Sequence, residues 1–273
     1  MDIRLIALDL DGTALGADKC SFSPRLDAAL AAAYRKGVAI VPVTGRQYDL
    51  LPPAVQGHPV WSGLAVLCNG GQIRELETGN LLYNLDIPPK SLHQLHALAQ
   101  RLNIPLEFSR KGKLHLTQES YDAQLPRENL RFHVHTILVK SGVIVDSLLP
   151  LCEAGIEKAQ LPYIPAHLRE DVAHSLKEID VSAVWASASS MEITHSDATK
   201  GNAIETLSRL LEIPTENIMA LGDSGNDETM LRRAGLGVAM GNAPDFVKAA
   251  ADWVTDTNVN DGAAMAIEKF VLT

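Results

Sequence analysis

Cysteine is scarce in this 273-residue sequence, which contains three of them and no CxxC spacing. Because Cys20, Cys68 and Cys152 are scattered, the sequence predicts neither a disulfide framework nor a structural zinc site, and we expect all three to be reduced. Cys68 lies in an apolar run and has no base or cation nearby in the sequence. It is therefore interpreted as a core residue and not as a nucleophile.

An excess of basic residues is also missing, as is any long hydrophobic run. The formal net charge is -9, and without a concentrated basic stripe we expect no nucleic-acid partner. No apolar stretch approaches the roughly 20 residues that span a bilayer, so we expect no membrane partner. The chain passes directly from Asp2 and Arg4 into a predicted strand without a removable signal peptide, and a cytoplasmic location is expected.

Hydrophobic residues make up 46% of the chain, which at this length allows one large domain or two smaller ones. Predicted strands alternate with predicted helices at both ends of the sequence. Such alternation is typical of an α/β fold with a parallel sheet and helices on both faces. Strands are predicted at residues 3–8, 38–43, 64–68, 217–221 and 236–239, and helices at residues 24–36, after residue 46, and at residues 200–211 and 227–234.

The alternation stops in the middle of the chain, where a leucine stripe from Leu92 to Leu102 predicts a helix. We expect a separate α+β domain at residues 85–187, inserted into a discontinuous core of residues 1–84 and 188–273. Within and beside this insert, strands are predicted near residues 106–108, 113–117, 134–139, 181–186 and 189–194, and helices near residues 143–158 and 168–178.

Two carboxylates stand two positions apart in the motif Asp9-Leu10-Asp11-Gly12-Thr13, directly after an apolar stretch. Side chains alternate along a strand with period two, so Asp9 and Asp11 can face one site at the end of a strand. Gly12 permits a sharp turn, and Thr13 can brace it by a local hydrogen bond. One carboxylate could attack a substrate while the other moves protons.

Three further motifs follow in order: Val43-Thr44-Gly45-Arg46, Thr199-Lys200-Gly201-Asn202 and Gly222-Asp223-Ser224-Gly225-Asn226-Asp227. They fall at the carboxyl ends of predicted strands or open a predicted helix, which is where ligands bind in open parallel sheets. In this order the four motifs resemble those of the haloacid dehalogenase-like (HAD) phosphohydrolases. Residues 237–243, with 251–255 and 261–262, are similar to the Cof-type subfamily.

This resemblance implies a Rossmann-like parallel-sheet core with an inserted α+β cap of class II, type B. The cap, residues 85–187, would decide substrate specificity. The implied activity is a phosphatase, in which Asp9 is the nucleophile that forms an aspartyl-phosphate and Asp11 is the general acid and base. Free aspartate titrates near pH 4, so the site is expected to raise the pKa of Asp11.

A divalent cation is expected because Asp9, Asp11, Asp223 and Asp227 would concentrate negative charge where a phosphate dianion binds. Carboxylate and phosphate oxygens favour Mg²⁺. The resemblance implies side-chain ligands from Asp9 and Asp223, a backbone carbonyl from Asp11, and an orienting role for Asp227. It also implies a set of phosphate-binding groups: the Leu10 and Gly45 amides, the Thr44 hydroxyl, the Lys200 ammonium and the Asn226 side chain.

Some residues keep two interpretations. Arg46 could approach the substrate or brace the helix after its motif, and bracing is favoured. His133 and His135 could share one face of a predicted strand, with His115 on another strand, but they have no recognisable carboxylate or cysteine partner. Ordinary cap histidines are favoured over a metal site, and contact with the substrate is the remaining alternative.

The favoured function is hydrolysis of a small phosphorylated metabolite, such as a sugar phosphate, by a Mg²⁺-dependent enzyme. A sugar phosphomutase of the same superfamily is the second hypothesis, because it would use the same acidic motif and return the phosphoryl group to the sugar. A catalytically idle protein that binds a phosphorylated metabolite is the third. The sequence carries no signal for the oligomeric state or for the identity of the metabolite.

Overall fold

The computed structural model describes residues 2–273. Its strands and helices alternate in the terminal parts of the chain, as the sequence predicts. The strands are β1 (Leu5–Leu8), β2 (Ala39–Pro42), β3 (Leu64–Leu67), β4 (Gln72–Glu75), β5 (Leu81–Asn84), β6 (Glu107–Arg110), β7 (Lys113–Leu116), β8 (Gly142–Ile144), β9 (Lys158–Leu161), β10 (Ser182–Ser187), β11 (Ser190–Thr194), β12 (Ile218–Gly222), β13 (Leu236–Ala239) and β14 (Trp253–Val254). The helices are α1 (Pro24–Arg35), α2 (Pro89–Leu102), α3 (Gln118–Gln124), α4 (Val139–Ser141), α5 (Arg169–Leu176), α6 (Lys200–Leu211), α7 (Glu228–Arg233), α8 (Asp245–Lys248) and α9 (Gly262–Ile267).

The chain divides into two compact units. The core comprises the chain up to Tyr83 together with Thr199–Thr273, and the cap comprises Asn84–Ala198. The sequence-based boundary at residue 188 differs from this division, because residues 188–198 lie in the cap. Strand β11 pairs with β10 on one side and with β9 on the other, so a boundary in the β10–β11 turn would split a hairpin between two units.

The core is built on a five-stranded sheet with the order β14-β13-β12-β1-β2, in which neighbouring strands are parallel. The predicted α/β fold class is therefore confirmed. Strand β3 was expected to be the next parallel strand. Instead it pairs with β4 in a small sheet, β3-β4-β5, and a single bridge between Val43 and Val66 links it to the chain after β2.

The core sheet is covered by apolar residues on both faces. In β1, Ile6 and Leu8 join one hydrophobic cluster while Leu5 and Ala7 join another, and all four are fully buried. This is typical of parallel sheets with helices on both sides. Helix α1 begins after Ser23, whose side chain accepts a hydrogen bond from the amide of the third following residue.

The cap contains a six-stranded sheet with the order β10-β11-β9-β6-β7-β8. Its strands pair antiparallel except for β7 and β8, which are parallel. The strand predicted at residues 134–139 is wrong, since helical turns over His133–Leu138 continue into α4. Val134 and Leu138, four residues apart, are buried in one cluster with Leu114 and Leu116, and this packing overrides the β-branched composition of the segment.

Two predicted helices are also wrong. Residues 143–158 contain β8, a short helical segment at Leu149–Glu153 and the start of β9, where one helix was expected. The helix predicted after Arg46 is a single turn, Tyr48–Leu50, because Pro52 and Pro53 follow it and proline disfavours a continuing helix.

The cysteines agree with the sequence-based expectations. Cys68 is fully buried, as expected of a core residue, Cys152 is buried and Cys20 is exposed, and all three are free thiols. Among residues 2–273, no helix combines the length and the apolar character needed to cross a bilayer.

Candidate active site

Three adjacent strands bring the sequence motifs to one edge of the core sheet. Strand β1 lies between β12 and β2, and parallel strands end at the same edge. Asp9 follows β1, Thr44 follows β2, and Asp223 follows β12. Lys200 is the first residue of α6, whose cap is the Thr199 hydroxyl that accepts from the amide of the third following residue. The motifs, far apart in sequence, therefore form one site.

Lys200 joins two carboxylates in the interior of the core. Its Nζ donates to Oδ1 of Asp9 at 2.6 Å and to Oδ1 of Asp227 at 2.6 Å, and the Lys200 side chain is 1% exposed. Burial lowers the pKa of Lys200, but the charges of Asp227 and Asp9 outweigh burial and raise that pKa above its ordinary value. The lysine is therefore a permanent cation held against Asp9.

Asp227 has protein donors at both of its carboxylate oxygens. Oδ1 accepts from Lys200, and Oδ2 accepts from the backbone amides of Asp223 and Ser224, each at 2.9 Å. A Cβ atom at Gly222 would lie 2.4 Å from Cγ of Asp227, so only glycine leaves room for this carboxylate. Asp227 thus uses both of its carboxylate oxygens to hold Lys200 and the loop that carries Asp223.

Asp223 contacts the turn that follows β1. The Thr13 hydroxyl donates to its Oδ1 at 3.0 Å, and the Asn242 side-chain amide donates to its Oδ2 at 3.2 Å. Gly12 has a φ of +80°, and a Cβ there would lie 2.4 Å from Oδ2 of Asp223. Glycine is required at this position both for the backbone conformation and for the close approach of the carboxylate.

The acidic groups of the site have perturbed pKa values. Burial, with the nearby charge of Asp227, raises the pKa of Asp9 well above its ordinary value, even though Lys200 opposes the shift. Burial and Asp227 also raise the pKa of Asp223, to about 6. The site therefore concentrates more negative charge than its lysine balances.

The donor set of this site fits a hard divalent cation. Carboxylate oxygens of Asp9, Asp223 and Asp227 lie within 4.8 Å of one another, and they form the one cluster in residues 2–273 with the spacing of a metal site. Asp227 is fully buried, and its Oδ2 accepts from two backbone amides while Oδ1 accepts from Lys200, whereas each oxygen of Asp223 accepts one side-chain hydrogen bond. Asp9 and Asp223 are therefore the better candidates for direct ligands. Oxygen ligands of this kind suit Mg²⁺.

Arg46 is ion-paired with Asp11. Its Nη1 also donates to the carbonyl oxygen of Leu50 at 3.2 Å, so it contacts the helical turn Tyr48–Leu50 as the bracing interpretation expects. Nε of Arg46 donates to Oδ2 of Asp11 at 2.7 Å, and Nη2 donates to Oδ1 at 2.7 Å. Burial raises the pKa of Asp11, but the hydrogen bonds and charge of Arg46 outweigh burial and lower that pKa below its ordinary value. The expectation of a raised pKa at Asp11 is wrong in this state of the site. The pKa values that are raised belong to Asp9 and Asp223.

Comparison with known proteins identifies the family. The model of the haloacid dehalogenase-like hydrolases matches residues 6–267. The chain belongs to this family. The HAD-like hydrolase is 32% identical to the putative phosphatase YxeH of Bacillus subtilis, over 98% of each chain. It is 30% identical to the 5-amino-6-(5-phospho-D-ribitylamino)uracil phosphatase YcsE of the same bacterium, over 100% of this chain and 97% of the relative.

A solved structure supports the same fold. The HAD subclass IIB sugar phosphatase BT4131 superimposes with a TM-score of 0.83, at 24% identity, over 99% of this chain and 100% of that one. The family match and the relatives confirm the predicted family and the assignment as an enzyme, and the structural match confirms the α/β core with its α+β insert.

The proposed phosphate-binding residues of the HAD-like hydrolase lie in loops at the same sheet edge. Thr44 is buried, and its hydroxyl accepts from the Arg46 amide at 3.1 Å. Leu10, also buried, begins the turn that contains Asp11 and Gly12, and Gly45 directly follows Thr44. The Asn226 side chain donates to Oδ1 of Asn69 at 2.8 Å and accepts from the Ser224 hydroxyl at 2.5 Å.

Sequence reasoning missed several contacts of this hydrolase. Thr13 and Arg46 lay inside recognised motifs, but the partners that they contact, Asp223 and Asp11, were not predicted. Asn242 was noted only as part of residues 237–243, and Asn69 lies outside the four motifs. The signal available for the other three was their position inside or beside a motif.

The cap histidines do not form a metal cluster. Nε2 of His133 lies 3.0 Å from each carboxylate oxygen of Glu107, which is fully buried. His135, two residues further along a helical segment, points to a different side from His133, so the expected shared strand face does not exist. His115 pairs in register with Phe108, which places it on the opposite sheet face from Glu107.

Proposed function

We propose that this HAD-like hydrolase is a Mg²⁺-dependent phosphatase that hydrolyses small phosphorylated metabolites through an aspartyl-phosphate on Asp9. The observation that carries the proposal is the arrangement of Asp9, which follows strand β1, is held at one oxygen by Lys200 and lies beside Asp223. Asp11 stands two residues further along the same loop. The proposed nucleophile and the proposed proton carrier thus lie in the short segment after β1. The proposed cation site is formed by that segment together with Asp223.

Asp9 and Asp223 would hold Mg²⁺ through their side chains, together with the backbone carbonyl of Asp11. When bound, Mg²⁺ supplies positive charge that offsets the carboxylates and the phosphoryl oxygens. Asp227 contributes by fixing Lys200 and the loop of Asp223, as its hydrogen bonds indicate.

In the first step, one oxygen of Asp9 attacks phosphorus, and the bond from phosphorus to the leaving oxygen breaks. The hydrogen bond from Lys200 to Oδ1 of Asp9 fixes the orientation of the carboxylate, so that Oδ2 is the attacking atom. The phosphoryl oxygens would be bound by the Leu10 amide, the Thr44 hydroxyl, the Gly45 amide, the Lys200 ammonium and the Asn226 side chain.

Asp11 gives its proton to the leaving oxygen and then takes a proton from the water that attacks the aspartyl-phosphate. The second attack restores Asp9 and releases inorganic phosphate. For the first transfer Asp11 must be protonated, and its ion pair with Arg46 favours the charged form. We therefore propose that Asp11 separates from Arg46 when substrate is bound.

We propose that the substrate is a small molecule and that the cap, Asn84–Ala198, selects it. YcsE is named for a phosphorylated ribityl compound and BT4131 for sugar phosphates, which makes phosphorylated polyols and sugars the first compounds to test.

The test is phosphate release from a panel of phosphorylated sugars, polyols, nucleotides and cofactors, in Mg²⁺ or in EDTA. We expect release in Mg²⁺ by the wild type and by Asp27→Ala, which alters an exposed aspartate of the core helix α1, but none by Asp9→Ala. An isomerised sugar phosphate without free phosphate would identify a mutase. Binding without turnover in Mg²⁺ would identify an idle binding protein.

A further inference from the structure

Asn242 links three loops at the acidic edge of the core. Its Nδ2 donates to the carbonyl oxygen of Gly12 at 2.9 Å and to Oδ2 of Asp223 at 3.2 Å. Its Oδ1 accepts from the backbone amide of Asn258 at 3.0 Å. One side chain therefore contacts the turn after β1, the carboxylate after β12 and the loop before α9.

The contacts of Asn242 complete the support of the Asp223 carboxylate. Thr13 donates to Oδ1 and Asn242 donates to Oδ2, so each oxygen has one protein donor that fixes its direction. Each carboxylate oxygen has a second lone pair, which leaves room for a cation. The bond to Gly12 ties the same amide to the turn that carries Asp11.

We propose that Asn242 is a positioning residue for the cation site: it holds the Asp223 carboxylate at a fixed distance from the turn after β1. This inference rests on the proposed function, because it concerns the Mg²⁺ that the phosphatase would use. Asn242 acts through Asp223 and through the Gly12 carbonyl, and it touches neither substrate nor cation.

The expected effect follows from preorganisation. Residues that orient metal ligands typically change metal affinity by about 10-fold to 100-fold when they are removed. Asn242 is exposed and supplies one of the two donors to Asp223, so we expect the lower end of that range. Its loss should raise the half-saturating Mg²⁺ concentration more than it lowers kcat at saturating Mg²⁺.

The experiment titrates Mg²⁺ alone into the 273-residue protein by calorimetry, and then measures phosphate release against Mg²⁺ concentration. We expect Asn242→Ala to raise the Kd for Mg²⁺ by about 10-fold while the melting temperature in EDTA stays close to that of the wild type. Asn260→Ala is the matched control, because the Asn260 side chain contacts Asp256 and not Asp223.

A second control separates positioning from a general loosening of the loops. The Asn258 side chain donates to the Leu15 carbonyl at 3.3 Å and has no contact with Asp223, so Asn258→Ala should change Mg²⁺ affinity by less than about threefold. An equal loss in Asn258→Ala and Asn242→Ala would overturn the inference, as would an unchanged Kd in Asn242→Ala. If either result came together with metal-dependent turnover by the wild type, only the inference about Asn242 would be refuted. If the wild type neither bound Mg²⁺ nor released phosphate, the proposed function would fall with it.

Discussion

Lys200 is the residue whose replacement tests the electrostatics of the site most directly. Its ammonium group lies 2.6 Å from both Asp9 and Asp227, whose side chains are 6% and 0% exposed. Replacement by methionine keeps much of the length of the side chain but leaves these buried carboxylates without their cation. Removing one partner from a buried ion pair typically costs about 3–5 kcal/mol. At about 2–4 °C per kcal/mol for chains somewhat shorter than this one, we expect the melting temperature of Lys200→Met to fall by roughly 10 °C.

The loss of stability in Lys200→Met should depend on pH. The raised pKa of Asp9 decides whether this loss grows or shrinks as pH rises. A carboxyl group whose pKa is higher in the folded protein favours folding at low pH, and this contribution is lost as pH rises through the folded pKa. Burial already raises the pKa of Asp9, and without Lys200 that pKa rises further. The deficit of Lys200→Met should therefore be larger at pH 8 than at pH 5.5.

The assay is thermal unfolding in EDTA at these two pH values. Lys158→Met is the matched control, because Lys158 is also buried but pairs with the partly exposed Glu192, and its deficit should be smaller. The double variant Lys200→Met/Asp227→Asn should recover part of the lost stability, since one uncompensated charge is gone. A deficit below about 1 kcal/mol, or one that is equal at both pH values, would refute this account of the site.

Three further outcomes are expected. Arg46→Gln should raise the pKa of Asp11 and move the alkaline limb of the kcat/KM profile to higher pH. An unchanged profile would show that the Arg46–Asp11 ion pair does not control the pKa of Asp11 in the free enzyme. Gly12→Ala should lose stability and turnover because its Cβ would collide with Asp223, whereas Gly57→Ala, at φ +76° with open space around it, should cost about 1 kcal/mol in unfolding experiments and leave turnover intact. Asp11→Asn should abolish phosphate release while its circular dichroism and melting temperature stay close to those of the wild type; residual turnover near the wild-type rate would remove Asp11 from its proposed role.

The core could be predicted from the sequence because its local signals agree with its global fold. Apolar runs of four to six residues, each followed by a loop rich in glycine and acidic or hydroxyl side chains, are typical of parallel strands that end at a ligand site. Helix α6 was predicted with its observed bounds, Lys200–Leu211, because Thr199 supplies a clear capping residue. Family resemblance added the roles that these motifs imply.

The cap was harder to predict because tertiary packing decides its local structure. The residues from His133 to Val139 are rich in β-branched side chains, yet they are helical because Val134 and Leu138 pack on the sheet. The partners of Arg46 and Asn242 were missed for a related reason. Each contacts an acidic loop that is distant in sequence, and no periodic pattern in the sequence predicts which residue a single polar side chain contacts.

The strand order of the core has a consequence for the timing of folding during synthesis. Strand β1 lies between β2, which follows within about 40 residues, and β12, which begins at Ile218. At roughly 5–20 residues per second, the ribosome needs about 10–40 s after β1 to complete β12. Throughout that interval one edge of β1 has no neighbour, and for most of it Lys200, the residue that binds Asp9, has not been synthesised. The nascent chain therefore pairs both edges of β1, and places a cation beside Asp9, only once β12 has been synthesised.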